Sequence, residues 1–449
     1  MPGWGEQPRR STLSPPPQTI ESDHPCLPPR AGNVRTHPGF LRPGFFPLAQ
    51  RDCSRPLDSG ALPRILQDGI PITFFLPFSA GDDGPRDCPV TSRERVRAAL
   101  RRDPADRVPI WMWFHPDTAV RLAAELGIPV SGLADALGDD IRQTWVGNNH
   151  AMEGIVHEHE GDSHTDAWGV EWVRQGPFNQ IRKSPLAGAE ASAVAAYRFP
   201  YDSTDTLLSA MTHVLERGTD RFIGCDISPC LVELLFRIRG MEETLLDIAA
   251  EPERAGRLLN GAKTFAVHLA TEACNRFPLD WLWTGDDVGG QRSMMLSPGS
   301  WREMVRPHLA AIFGVGKSRG ITVAYHSCGA IRPIIPDLID IGLDVLNPIQ
   351  CTCPGMDPLE LKREFGSSLT FMGGVDTQDL LPRGTADDVY RATRRLVEGM
   401  TSDGGGYILA ASHSVPPETP LENIFAMYAA AGETREAIMD RAAFVRKRA

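Results

Sequence analysis

An imidazole and a thiol two residues apart are the most chemically suggestive feature of this chain. They are His326 and Cys328, in the stretch GITVAYHSCGAIRP over residues 320–333. The run ITVAY has strand character, and strand side chains alternate with period two. His326 and Cys328 therefore point to the same side, where the strand stops. One nitrogen and one sulfur donor suit zinc, and a third ligand from another strand end would complete an open site with room for a substrate. His413 is the best-placed third ligand, with Cys351 and Cys353 as rivals. Bound zinc would lower the pKa of a coordinated thiol or water.

The elements that must position this pair follow an alternating pattern. The apolar runs VPIWMW, RFIGCDI, DWLWTG, ITVAYH, DVLNPI, LTFMGG and GYILAA read as strands. Helical segments over 252–276, 300–317, 333–341, 357–364 and 386–400 lie between them. Repeated βα units predict a parallel sheet. The count fits a TIM-like (β/α)8 barrel better than an open doubly wound sheet, and no Gly-rich phosphate fingerprint opens the first unit. Residues 155–183 read as a hairpin-like insertion, whose His157, His159 and His164 are expected to be solvated.

Chemistry in such a barrel sits at the C-terminal ends of the strands. Asp286, Asp287 and Gln291 follow DWLWTG, Asp376 and Gln378 follow LTFMGG, and His413 follows YILAAS. His115 follows the first strand and is expected to face the pocket. These residues, with the exception of the metal ligand His413, are the expected substrate contacts. The early segment LGDDIRQTWVG offers Asp139, Asp140 and Arg142. Cys225, Cys230 and Cys274 lie in apolar or helical context and read as structural.

Composition excludes some classes. A net charge of −11 disfavours a nucleic-acid partner. No apolar run approaches the ~18 residues that span a bilayer, and the opening MPGWGEQPRRSTLSPPPQ has no apolar signal-peptide core. Nine irregularly spaced cysteines in a chain of 449 residues read as free thiols in a reducing cytoplasm. Residues 1–89 hold 17 of the 38 prolines without a helical or strand period, so a disordered extension rich in proline and arginine is expected there. At VTSRERVRAALRR the character changes, with Thr91 and Glu94 in capping-box spacing. The expectation is a barrel over 90–449 and a native start at Val90, the upstream residues coming from an over-long gene reading. A genuine disordered tail is the alternative.

From Val90 onward, several stretches resemble the uroporphyrinogen decarboxylase superfamily. They include TSRERVRAALRRDPADRVPI, LGDDIRQ, DAWGVEW, GDDVGGQRSMMLSPGSWREMVRPHL, HSCGAIRPIIPDLIDIGLDVLNPIQ, FMGGVDTQDLLPRGT and GGGYILAASHSVPPETPLENIFAMY. That superfamily contains both porphyrinogen decarboxylases and corrinoid (cobalamin-dependent) methyltransferases. The resemblance implies a TIM-like barrel and a homodimer. In the decarboxylase branch, Asp140 and His413 resemble the acid at the pyrrole nitrogens and a C-terminal substrate histidine. The arginine motif that binds propionates is replaced by WMWFHPD, and Leu235 and Phe236 stand near the family's tyrosine. A substrate with eight carboxylates thereby loses its charge partners.

In the methyltransferase branch a His-x-Cys pair and a distant cysteine hold zinc. His326 and Cys328 match the pair, while His413 stands where the third ligand is a cysteine. The resemblance thus implies a zinc-dependent methyltransferase that moves a methyl group between a corrinoid and a small acceptor, with a corrinoid-binding protein as partner. Asp140 would serve as acid or base, and Asp286, Asp287, Gln291 and Asp376 would position the substrate. The alternatives are a metal-free decarboxylase of porphyrin biosynthesis acting through Asp140 and His413, and a non-catalytic ligand-binding barrel.

Overall fold

Helix Ser92–Arg101 begins where the capping pattern places it: the Thr91 side chain accepts from the Glu94 amide at 3.2 Å, and the Glu94 carboxylate accepts from the Thr91 amide at 2.9 Å. A computed structural model of the protein describes residues 90–147, 157, 159–216 and 220–448. The extension expected over 1–89 lies outside the described residues.

The strands, in chain order, are β1 (Ile141–Trp145), β2 (Ser163–Thr165), β3 (Glu171–Gln175), β4 (Phe178–Lys183), β5 (Phe222–Asp226), β6 (Trp281–Gly285), β7 (Thr322–His326), β8 (Val345–Ile349), β9 (Thr370–Gly373) and β10 (Tyr407–Ile408). Seven of them form one parallel sheet in the order β1-β5-β6-β7-β8-β9-β10, curled into a half-barrel. Strands β5, β6, β8 and β9 are buried along their whole length. This is the pattern of a parallel sheet covered on both faces, and it explains why their sequences run apolar without alternation.

Segment 108–115, of which VPIWMW (108–113) is expected as the first strand, forms no regular ladder. Pro109 has no N–H to give, which interrupts one. The segment nevertheless bonds to both edges of the sheet. Leu409 donates to the Pro109 carbonyl at 2.8 Å, Trp111 donates to the Leu409 carbonyl at 3.1 Å, and Val415 donates to the Trp113 carbonyl at 2.8 Å. On the other side, the Asp140 amide donates to the Ile110 carbonyl at 2.8 Å. Strand β1 itself, unexpected from the sequence, is half-buried and polar, which hid its strand character.

Ile141, Phe222, Trp281, Trp283, Ala324, Val345, Met372 and Ile408 pack together inside the curl, with Val96 of the first helix among them. That helix covers the N-terminal ends of the strands, where Arg93 and Arg97 pair with Asp280 just before β6. The C-terminal ends are thereby left as the face for chemistry. Helices Pro252–Arg276 and Ala386–Met400 fall where their periodicity predicts. The segment expected as one helix over 300–317 is two, Pro298–Met304 and Arg306–Lys317; Pro307 opens the second, since it cannot donate into a continuous ladder.

Strands β2, β3 and β4 form a separate antiparallel sheet, as the insertion predicts. One of its histidines is buried and a second is half-buried. His157 is buried, its Nδ1 2.9 Å from Asn179 Oδ1, and its Nε2 lies 3.0 Å from His164 Nδ1. Among the described residues no helix is long and apolar enough to cross a membrane.

Candidate metal centre

Strand β7 ends on His326, and the chain then turns through Ser327-Cys328-Gly329. Gly329 adopts φ 86°, and a Cβ there would meet the Gly289 backbone at 2.5 Å. A Cβ on Gly289 would meet the Cys328 carbonyl at 2.3 Å. The two glycines let the loops after β6 and β7 touch backbone to backbone. That contact brings Asp287 to Cys328, whose amide donates to Asp287 Oδ1 at 2.7 Å.

The result is a compact donor cluster. His326 Nε2 lies 3.4 Å from Cys328 Sγ and 3.7 Å from Asp287 Oδ1. Ligand atoms of Asp287, His326 and Cys328 all fall within 4.8 Å of one another. On the other side of the ring, His326 Nδ1 is 2.7 Å from Asn347 Oδ1. The Asn347 amide nitrogen faces the Met372 carbonyl, so its oxygen is the end that meets the histidine. Nδ1 then carries the proton and the Nε2 lone pair faces the thiol and carboxylate, the tautomer that a metal ligand needs. One nitrogen, one sulfur and one oxygen donor suit zinc.

His413, expected as the third ligand, is not in this cluster. Its ring centroid stands 6.4 Å from that of His326, and its Nδ1 is 3.1 Å from Ser414 Oγ. Asp287, expected only as a substrate contact, is the third donor that stands beside His326 and Cys328. Cys353 hydrogen-bonds toward Gln291 at 3.8 Å, and neither it nor Cys351 joins the cluster.

Electrostatics follow from the concave shape. Asp287 and Cys328 are half-buried and His413 is exposed, so water reaches all three. Burial first, then Glu233, raises the Asp287 carboxyl, and His326 opposes the rise. Burial, then Asp287 and Glu233, pushes the Cys328 thiol well up. Burial and His326 push His413 down to about 4, against the pull of Asp287. Fully buried Asp286 is pushed up to about 8, first by burial; its Oδ1 accepts from the Glu233 amide at 2.7 Å and its Oδ2 has no partner.

The remaining expected residues divide. Gln291 and Gln378 do sit together at the mouth: Gln291 Oε1 accepts from Gln350 at 3.2 Å and from Gln378 at 3.4 Å. Asp376 is a turn residue, its carboxylate accepting from the amides of Gln378, Asp379 and Leu380. His115 is buried rather than facing the pocket. It caps helix Pro116–Leu126, and its Nε2 lies 3.0 Å from the Pro177 carbonyl of the hairpin.

Asp140, expected as an acid or base, lies at the opposite end of the sheet. It precedes β1, is fully buried, and binds Arg95 at 2.6 Å, Arg107 at 2.7 Å and the Ile110 amide at 2.9 Å. Both carboxylate oxygens are thus taken up by partners within the fold. A cavity of about 390 Å³ lies near that end, lined in part by Asp106, Arg107 and Tyr407, away from the donor cluster.

Sequence reasoning missed Asn347, Glu233 and Gln350, and it missed a wall of tryptophans. Trp111, Trp113, Trp145 and Trp283 line a small cavity with His326 and His413. Asn347 carried a signal, as a polar residue inside the otherwise apolar strand β8. The tryptophans carried none, because each reads equally well as core.

Comparison with known proteins places these observations. The model of the family described as uroporphyrinogen decarboxylase (URO-D) matches residues 175–434, more than half of the chain. The chain is 26% identical over 200 residues to a methylated-thiol–coenzyme M methyltransferase of Methanosarcina mazei, 44% of this chain and 49% of that protein. It is 28% identical over 173 residues to the methylcobamide:CoM methyltransferase MtaA of Methanosarcina barkeri, 37% of this chain and 48% of that one. A uroporphyrinogen decarboxylase of Thermus thermophilus is 30% identical over 135 residues, 29% of this chain and 35% of that enzyme. The chain thus spans half the length or less of these curated relatives. A solved methyltransferase from Methanosarcina mazei shares the fold, with a TM-score of 0.60 at 20% identity, over 76% of this chain and 98% of that one. The chain belongs to the uroporphyrinogen decarboxylase family.

Proposed function

We propose that the protein is a zinc-dependent methyltransferase that moves a methyl group between a corrinoid and a small acceptor. The observation that carries this reading is the cluster of His326, Cys328 and Asp287, with Asn347 fixing the imidazole so that its lone pair faces the other two donors. The methyltransferase relatives support it, and a corrinoid-binding protein is the partner they imply. We read segment 108–115 as the eighth stave of a (β/α)8 barrel whose mouth holds the site.

Zinc in this position would act as a Lewis acid that lowers the pKa of the bound acceptor and so raises its nucleophilicity. The residues supply the rest. His326, Cys328 and Asp287 hold the ion, and Asn347 orients His326. His413 stands 6.4 Å from His326 between ring centroids; its depressed pKa leaves the ring neutral at pH 7, with a lone pair that can accept a hydrogen bond from the incoming acceptor. Gln291, Gln350 and Gln378 offer amides on the rim for a polar substrate. The decarboxylase reading requires Asp140 at the mouth, and Asp140 is committed to Arg95 and Arg107 at the other end.

Metal analysis of the purified protein, paired with cob(I)alamin absorbance during incubation with methylcobalamin and candidate acceptors, tests the proposal. Near-stoichiometric zinc that is lost in Cys328→Ser, together with methyl transfer, is expected. Zinc-free protein whose metal content is indifferent to Cys328→Ser would remove the site.

A further inference from the structure

The tryptophan wall is the second unusual feature of the mouth. Trp113 packs against Trp145 at 4.9 Å between ring centroids and against His413 at 4.8 Å, while Trp111 and Trp283 meet at 5.8 Å. Trp283 stands 6.3 Å from His326. These four indoles and two imidazoles, with Asn347, Pro348, Ala410 and Ala411, line a cavity of about 10 Å³, the space of about one water-sized or methyl-sized group. No lysine, arginine or carboxylate is among the residues lining it.

These properties select a ligand. Four indoles offer little to an anion or to a strongly hydrated group, and the small volume admits only the tip of a molecule. A neutral methyl group would gain dispersion alone. A methyl group on a positive nitrogen or sulfur carries part of that charge, and indole rings within about 6 Å attract it electrostatically.

We propose that this aromatic recess seats a positively charged N-methyl or S-methyl group, so that the small-molecule substrate or product is a methylated ammonium or sulfonium compound. The proposal rests on the methyl-transfer reading for its chemistry. The recess itself is built from side chains that need no metal, so the two ideas fail separately.

The experiment is calorimetric titration of the full chain, dialysed against a chelator, with three probes: choline, trimethylsulfonium and 3,3-dimethyl-1-butanol, the neutral analogue of choline. At least one cation is expected to bind about tenfold more tightly than the neutral analogue, and the stronger of the two identifies ammonium or sulfonium. Trp113→Ala is expected to abolish that preference and Trp113→Phe to keep most of it. Equal binding of the neutral analogue, or no binding of either cation by the wild-type protein, overturns the proposal, and neither result depends on how the variants fold. Failure of methyl transfer or of zinc binding, with the cation preference intact, would remove the proposed function alone.

Discussion

Asn347 Oδ1 stands 2.7 Å from His326 Nδ1, on the side of the imidazole away from the thiol of Cys328. The pair spans two adjacent strands, since His326 ends β7 and Asn347 lies within β8 opposite it. A buried amide thus fixes the tautomer and rotation of a ring whose other nitrogen faces Cys328 and Asp287. Asn347→Ala is expected to weaken zinc binding about 10- to 100-fold while leaving the fold intact. Competition with a chromophoric chelator measures it; unchanged affinity would show that the ring needs no such support.

Asp140 invites a different experiment. Its carboxylate is fully buried between Arg95 and Arg107, so Asp140→Asn removes the negative charge that the two guanidinium groups share and leaves each with one carboxylate, Asp106 for Arg95 and Glu433 for Arg107. A loss of about 3–5 kcal/mol in stability is expected, the range for breaking a buried ion pair. Zinc content per folded molecule is expected to stay constant. Denaturant titration and metal analysis on the same preparation separate a structural role from a catalytic one.

Its neighbour Asp139 makes a pH-dependent contribution. Burial pushes this carboxyl up to about 7, although Arg142 and the Tyr428 hydroxyl at 2.7 Å pull it back. The folded protein therefore keeps a proton that the unfolded chain releases near pH 4. Between about pH 4 and pH 7 the native state binds more protons, so this group lowers stability as pH rises. Asp139→Asn removes that dependence. Its thermal midpoint is expected to gain on the wild type as pH increases from 5 to 8, and a constant gap would refute the assignment.

His115 ties the hairpin to the mouth through its contact with the Pro177 carbonyl and its edge-to-face packing on Phe178. His115→Ala is expected to cost about 1 kcal/mol through the lost hydrogen bond and cap. Amide exchange should speed up in β3 and β4 before it does so in the parallel sheet. Hydrogen-exchange mass spectrometry reads this directly.

Much of the site was legible because strand ends are legible. His326 and Cys328 were readable from period-two alternation, and Asp286 and Asp287 from their place after an apolar run. The nearness of Asp287 to that pair was not, because the contact between Gly289 and Gly329 that draws Asp287 onto Cys328 is a tertiary fact with no local signature. Asp140 misled because an aspartate beside a strand looks the same at either end. Only its position before Ile141, on a strand too polar to recognise, assigns it to the closed end. The cluster of Gln291, Gln350 and Gln378 was half visible, since Gln350 lies among residues read for their cysteines.

Segment 108–115 carries two duties at once. Its backbone bonds to both edges of the sheet, and its side chains Trp111 and Trp113 form part of the recess beside the donor cluster. On the proposed reading, selectivity and closure would be written in the same eight residues. A change of substrate that reshapes this wall must pass through sequences that still fasten the sheet, which narrows the routes by which the pocket can diversify. The amides of Gln291, Gln350 and Gln378, carried on loops beyond the strands, have no such obligation and are the freer surface for new specificities.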